Sequence, residues 1–377
     1  MSGDSPREIQ QTRAVEVQEL RSALAQPSKD SALLLSAAFA VLSCGALCSG
    51  YSALVPSLLD TVWEDGAFHE DCLEEEVCSK QMSDLTHMYT VANSLLNLAA
   101  LPTGLCLDHF GYGRCGLCAA LAIALGAVLF SLGGPGPGRA AYTTGFSMMA
   151  IFGPVMSCAG YTFAQRALGH RGIFIAAFAA CAEMCPLLFA TMGWMSDLGT
   201  PLPVTFRLFA LLPLLVSLLA VTLWPHRGDS EEQKTLLATH EAHEELQELC
   251  SLEFAFLTHA KSVSTLAMSF FMGTLYSQLS VATDVSGARM LNRGFAFLLP
   301  LGGVLAAPVA ALVVDYLGPT SAYLLFCLCY SLFSLCFTAF LHGQGVGWAL
   351  ASFLLFGLSR PLYSVSMVGV AGKRRAA

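Results

Sequence analysis

Ten apolar runs, each long enough to cross a bilayer, constrain this chain more than any other feature. A helix needs about 20 largely apolar residues to traverse the hydrocarbon core. The runs cover residues 32–59, 85–108, 115–132, 140–163, 172–195, 203–224, 262–284, 294–315, 321–341 and 346–370. In lipid a backbone has no water to bond with, so an isolated run must close its hydrogen bonds internally, as a helix. The runs are continuous rather than alternating in and out, which excludes a porin-type barrel. Only 12% of residues are charged, about half the share of a soluble domain. The expected class is therefore an all-α polytopic membrane protein.

The runs divide into six, a polar connection, and four. This gives an N-terminal segment (1–31), a six-helix bundle (32–224), a central loop (225–261) and a second bundle (262–377). Basic residues mark cytoplasmic loops. Arg7, Arg13, Arg21 and Lys29 precede the first run, Arg114 follows the second, Arg166 and Arg171 follow the fourth, and Lys373, Arg374 and Arg375 follow the tenth. All fit a cytoplasmic N-terminus and central loop, in the plasma membrane or, as the alternative, an organelle membrane. Arg289 and Arg293, before the eighth run, fall on the predicted outer side and break the pattern. The first 32 residues are polar and show no signal-peptide core with a cleavage site, so the first span is expected to act as an uncleaved signal.

The net charge of −8 comes largely from two acidic connections, 60–75 and 229–253. No basic stripe for nucleic acid is present. In the loop between the first and second runs, Cys72 and Cys78 are candidates for a disulfide if that side is oxidising. The central loop reads as an amphipathic helix. Its His240, Glu241 and His243 resemble a zinc motif but lack the H-E-x-x-H spacing, and a solvated helix face accounts for them better. No cofactor or metal is expected, and no nucleophile and base stand at a spacing that would support catalysis.

Two charges fall in the middle of spans, where each costs about 2.5–3.5 kcal/mol on the insertion scale. Glu183 lies in "AACAEMCPLLF" and Arg360 in "FGLSRPLYS". Each can be a cavity residue that meets substrate or half of a structural ion pair; for Arg360 a structural or gating role is favoured. Pro361 removes a backbone donor, and Gly45, Gly50 and Pro56 soften the first span. Interrupted spans in both halves point to a cavity near the midplane, against the simpler reading of glycines as packing sites.

The second run ends in Gly104-x-x-x-Asp108-x-x-Gly111-x-x-Arg114, and a degraded copy, "ALVVDYLG" with Asp315 and Gly318, ends the eighth. The two copies sit at matching positions of the two halves, and the pattern resembles the signature of the major facilitator superfamily. Within it the chain is similar to solute carrier family 43, the sodium-independent large neutral amino acid transporters. "SGYSALVPSLL" resembles that family's Gly-Trp-Pro region, with Tyr51 in place of tryptophan. "ANSLLNLAALPTGLCLDHFG", "LGHRGIFIAAFAAC", "RGFAFLLPLGGVLAAPVAALVVDYLG" and "GLSRPLYSVSMVG" resemble its second, fifth, eighth and tenth spans. Two features depart from the family. Glu183 stands where relatives carry small polar residues, and ten spans are seen where the family has twelve. The second half is therefore expected to be incomplete, from a truncated or mis-spliced gene product, with a natural ten-span protein as the alternative.

The resemblance implies a uniporter or exchanger for neutral amino acids, working by alternating access with no cofactor. A nucleobase or organic anion on the same fold, or a membrane protein that transports nothing, are the rival readings. By the superfamily's pattern the first, fourth, seventh and tenth spans line the cavity. The candidate substrate residues are Gly50, Tyr51, Tyr161, Glu183, Tyr276, Gln278, Arg360 and Tyr363. The candidate gating residues are Gly104, Asp108, Gly111, Arg114, Arg171, Asp315 and Gly318, with Asp108 expected to hold the outward-open state through Arg114 and Arg171.

Overall fold

The computed structural model describes residues 27–59, 79–134, 138–166, 171–225 and 252–374. They are helical with no strands among them. The second span is Ser79–Phe110, the third Tyr112–Ser131 and the fourth Arg139–Arg166. The fifth runs as Arg171–Met184 and Pro186–Asp197, the sixth as Leu202–Phe209 and Leu211–Leu223. The seventh to tenth are Leu252–Ala282, Val285–Leu317, Pro319–Leu341 and Val346–Arg374. Among the described residues eight helices are long and apolar enough to cross a membrane, and the bent pieces of the first span make a ninth. The seventh span is long enough as well, but Ser262, Ser264, Ser269, Ser277 and Gln278 dilute it. The chain is a multi-pass membrane protein.

Several expectations change in detail. The seventh helix starts at Leu252, well before residue 262, and the second at Ser79 rather than 85. Pro361 does not interrupt the tenth span, and Pro300 and Pro308 lie inside an unbroken eighth. Among the described residues the breaks belong to the first half. A membrane helix keeps its course past a proline when its neighbours absorb the kink and re-satisfy the freed carbonyl. Here Gly357, one turn before Pro361, lies against the eighth span: a Cβ there would be 3.0 Å from Leu299 O. Cys72, Cys78, His240, Glu241 and His243 lie outside the described residues.

Lipid gives helices no hydrophobic reason to associate, so close contact at small residues must do it. The third and fourth spans meet at Gly126 and Gly145, where a Cβ on Gly145 would stand 2.5 Å from Gly126 O. The eighth and tenth meet at Gly302 and Gly357, with 3.1 Å from a Cβ on Gly302 to Gly357. Each half has its own aromatic centre. Phe130, Phe146, Phe189 and Phe206 interleave in the first, and Phe271 gathers Phe295, Phe333 and Phe356 in the second. The halves join chiefly along the fifth and eighth spans, with the seventh on the second piece of the first and the tenth on the fifth.

The repeat is visible in the backbone. Gly111 (φ 81°, ψ 160°) begins the third span and Gly318 (φ 85°, ψ 165°) the ninth. Both N–H groups close back on the residue four earlier, Gly111 to Leu107 O and Gly318 to Val314 O, each at 3.0 Å. A positive φ of this size favours glycine, which explains the glycine three residues after each aspartate.

Candidate functional site

The first span is an α-helix to Ala40, a π-turn over Val41–Gly45 and a 3-10 turn over Leu47–Gly50, followed by the helix Tyr51–Leu59. Ala46 between the turns has φ −137° and ψ 35°, and the span bends by 48°. Glycines at 45 and 50 weaken the helix there, and the backbone groups set free are taken up by neighbours. Ser157 Oγ of the fourth span donates to Gly45 O at 3.0 Å. The Ala46 N–H points at Cys185 Sγ of the fifth, 3.4 Å away. The fifth span is interrupted for one residue at that same Cys185, where Pro186 lacks a backbone donor, yet it continues as one span. The bent first span and this proline-weakened turn of the fifth therefore meet in the first half.

The breaks present Ser49 and Glu183 to the tenth span. Arg360 Nη2 donates to Ser49 Oγ at 3.0 Å. Its Nε lies 3.2 Å from Glu183 Oε2, with side chains 12% and 6% exposed. This contact is close enough for an ion pair but is not aligned as a hydrogen bond, and Arg360 Nη1 is buried with no hydrogen-bond partner among the described residues. Tyr89, Tyr161 and Cys185 lie within electrostatic range of the guanidinium. Gly303 of the eighth span touches the pair from behind, where a Cβ would be 2.5 Å from Glu183 Cβ. The two mid-span charges that the sequence sets far apart thus form one pair, and it joins the halves.

The other candidates separate by position. Tyr51 is buried and stacks on Tyr89 at 4.6 Å, and neither hydroxyl has a well-formed hydrogen bond among the described residues. Gly50 is a contact point, since a Cβ would come within 2.9 Å of Phe189 and 3.1 Å of Pro186. Tyr276 is buried in the second half. Gln278 Nε2 donates to Thr274 Oγ1 one turn away at 2.8 Å. Tyr363 lies toward the predicted inner end, with its hydroxyl 2.8 Å from Thr265 Oγ1 and 3.2 Å from Lys261 O. At the predicted inner end of the second span Asp108 and Arg114 are exposed, as is Asp315 in the second copy. Nothing lies within 4 Å of a Cβ on Gly104. The Arg171 side chain lies outside the described residues.

A second set of cross-half contacts lies toward the predicted outer side. Asn292 Nδ2 donates to Ser52 O at 2.8 Å while buried, and Arg293 Nη2 pairs with Asp197 Oδ2 at 2.6 Å. The outer arginine that broke the loop-charge pattern is thus matched by the acid that ends the fifth span. Beside it opens a cavity of about 1000 Å³ lined by Asp284, Ser286, Arg289, Met290 and Arg293. Asp284 caps the eighth span, and the Ser286 hydroxyl holds its carboxyl below the ordinary value. Because Arg293 and Asp197 are 53% and 28% exposed, Asp197→Asn should cost less than about 1 kcal/mol. Melting curves of the purified variant should show a small loss that shrinks further at high salt.

Ser49, Tyr89, Asn292 and Asp197 were not singled out from the sequence. Asn292 and Asp197 fell just beyond the predicted span edges. Ser49 gains its role only from the break beside it, and nothing in the local pattern marks Tyr89.

No family model matches the chain. Protein FMP42 of Saccharomyces cerevisiae is 21% identical over an alignment 400 positions long, gaps included, which covers 83% of this chain and 76% of that protein. Among solved structures, the partially occluded inward-open xylose transporter XylE of E. coli superposes with a TM-score of 0.61 at 18% identity, covering 91% of this chain and 88% of its own. A D-xylose-proton symporter gives 0.58 at 16%, covering 89% and 80%. XylE bound to 6-bromo-6-deoxy-D-glucose also gives 0.58 at 16%, covering 90% and 81%. The chain therefore shares its fold with these solved structures, one of which is described as a major facilitator superfamily protein.

Proposed function

We propose that this chain carries small organic solutes, neutral amino acids foremost, across a membrane by alternating access, as a uniporter or exchanger. The observation that carries the proposal is the buried Glu183–Arg360 pair, which lies mid-span and joins the two halves. Ionisable groups inside a membrane are costly and sit where solutes or protons pass. Two bundles that rock about such a site expose it to each side in turn. The Asn292–Ser52 and Arg293–Asp197 contacts tie the halves on the predicted outer side, and the Asp108–Arg114 ends form the opposing gate. The neutral amino acid rests on the stretches that resemble solute carrier family 43. The test is uptake by the purified chain in proteoliposomes of labelled leucine, phenylalanine, adenine and xylose. Saturable leucine or phenylalanine uptake is expected. Saturable uptake of adenine or xylose alone would replace the substrate class, and no saturable uptake by a folded sample would overturn transport itself.

A further inference from the structure

A purely structural ion pair in a low-dielectric interior uses up its hydrogen-bonding groups, because each buried group left unmade is costly. The Glu183–Arg360 pair does not. Of the guanidinium's five donors, one on Nη2 alone has a well-formed acceptor among the described residues, Ser49 Oγ. Arg360 Nη1 and Glu183 Oε2 are buried without a hydrogen bond among the described residues. The Tyr51 hydroxyl is likewise buried without a well-formed bond, and Tyr89, whose hydroxyl lies beside Ser269, stacks on it within electrostatic range of Arg360. A fixed cation and a fixed anion with spare capacity, side by side, match a solute that carries both opposite charges close together.

We propose that the pair is a recognition element for a zwitterion, an inference that rests on the amino acid reading above and assigns its two ends. The substrate carboxylate takes the planar guanidinium of Arg360, and the substrate ammonium takes Glu183. Binding thereby exchanges the direct cross-half ion pair for one that runs through the solute. A sugar or nucleobase offers no charge to either partner, and a simple anion or cation would leave one of the two uncompensated in a dry site. Glu183, which departs from the family resemblance, is the half that gives this chain its demand for the amine.

The test is competition against labelled leucine uptake by the full chain in proteoliposomes, with leucinol (ammonium, no carboxylate) and 4-methylpentanoate (carboxylate, no ammonium). Removing one charge-assisted hydrogen bond inside the site corresponds to about tenfold or more in apparent affinity. Both analogues should therefore compete at least about tenfold more weakly than leucine. Read as the rise in melting temperature that each analogue gives the purified variant, since uptake itself falls, Glu183→Gln should close most of the gap for 4-methylpentanoate and leave leucinol rejected, and Arg360→Gln should do the reverse. If leucine is transported but either analogue competes as well as leucine, the assignment is overturned while the transport reading stands. If neither leucine nor phenylalanine is taken up, the functional reading falls first and this assignment with it. Should a variant fail to fold, the analogue ranking on the unaltered chain decides alone.

Discussion

Arg360→Met is expected to lose about 3–5 kcal/mol of stability together with transport, because it strands the Glu183 carboxylate in a buried site without its cation. The carboxylate is 6% exposed and has no other charged partner at salt-bridge distance among the described residues. The double variant Glu183→Gln with Arg360→Met should recover most of that loss, since removing both charges also removes the desolvation they demand. It should not recover transport, because neither charged end of a substrate would then find a partner. Melting temperatures in detergent and leucine uptake, taken on both single variants and the double, give the coupling energy directly. Equal melting of the single variant and the unaltered chain would show that the pair contributes nothing to holding the halves together.

The second large effect is expected at Gly303. Adding a methyl group there puts carbon 2.5 Å from Glu183 Cβ and 2.6 Å from its Cγ, so either the pair shifts or the fifth and eighth spans separate. Gly303→Ala should lower transport by more than tenfold, the scale of about 1.4 kcal/mol, without unfolding either half. Its neighbour supplies the contrast. A methyl group on Gly302 meets Gly357 within the same half, at 3.1 Å, so Gly302→Ala should act on stability, by the roughly 1–3 kcal/mol typical of overpacking. Uptake and melting measured on both variants separate an interface between moving halves from one inside a single half. If Gly303→Ala transports normally, the fifth and eighth spans have room to give, and the close approach is not part of the cycle.

Much of the architecture could be read in the sequence because its causes are local. Span number follows from apolar length, and the Gly111 and Gly318 turns follow from the positive φ each requires. The pairing of Glu183 with Arg360 could not be read that way. Each was recognisable as an expensive charge, but their contact depends on how two bundles meet and is not encoded within either span. The helix breaks show the same limit from the other side. Two glycines mark Cys44–Gly50, and a glycine and a proline mark Gly357–Pro361, yet only the first stretch breaks. There Ser157 and Cys185 offer partners to freed backbone groups, whereas the tenth span stays helical through Pro361. Tyr363 carried the same sequence signal as Tyr51, but its bonds to Thr265 and Lys261 hold it nearer the predicted inner end.

The break in the first span also gives the protein a native isotope reporter. The Ala46 amide has left its helix and points at a thiol sulfur 3.4 Å away on another helix, and sulfur is a weak acceptor. Its protection against deuterium exchange therefore depends on where the fifth span sits, unlike that of amides held by carbonyls of their own helix. When the two spans part, that proton becomes exchangeable while the flanking turns stay protected. Deuterium uptake at the Ala46 amide thus follows the separation of the first and fifth spans without any label added to the chain.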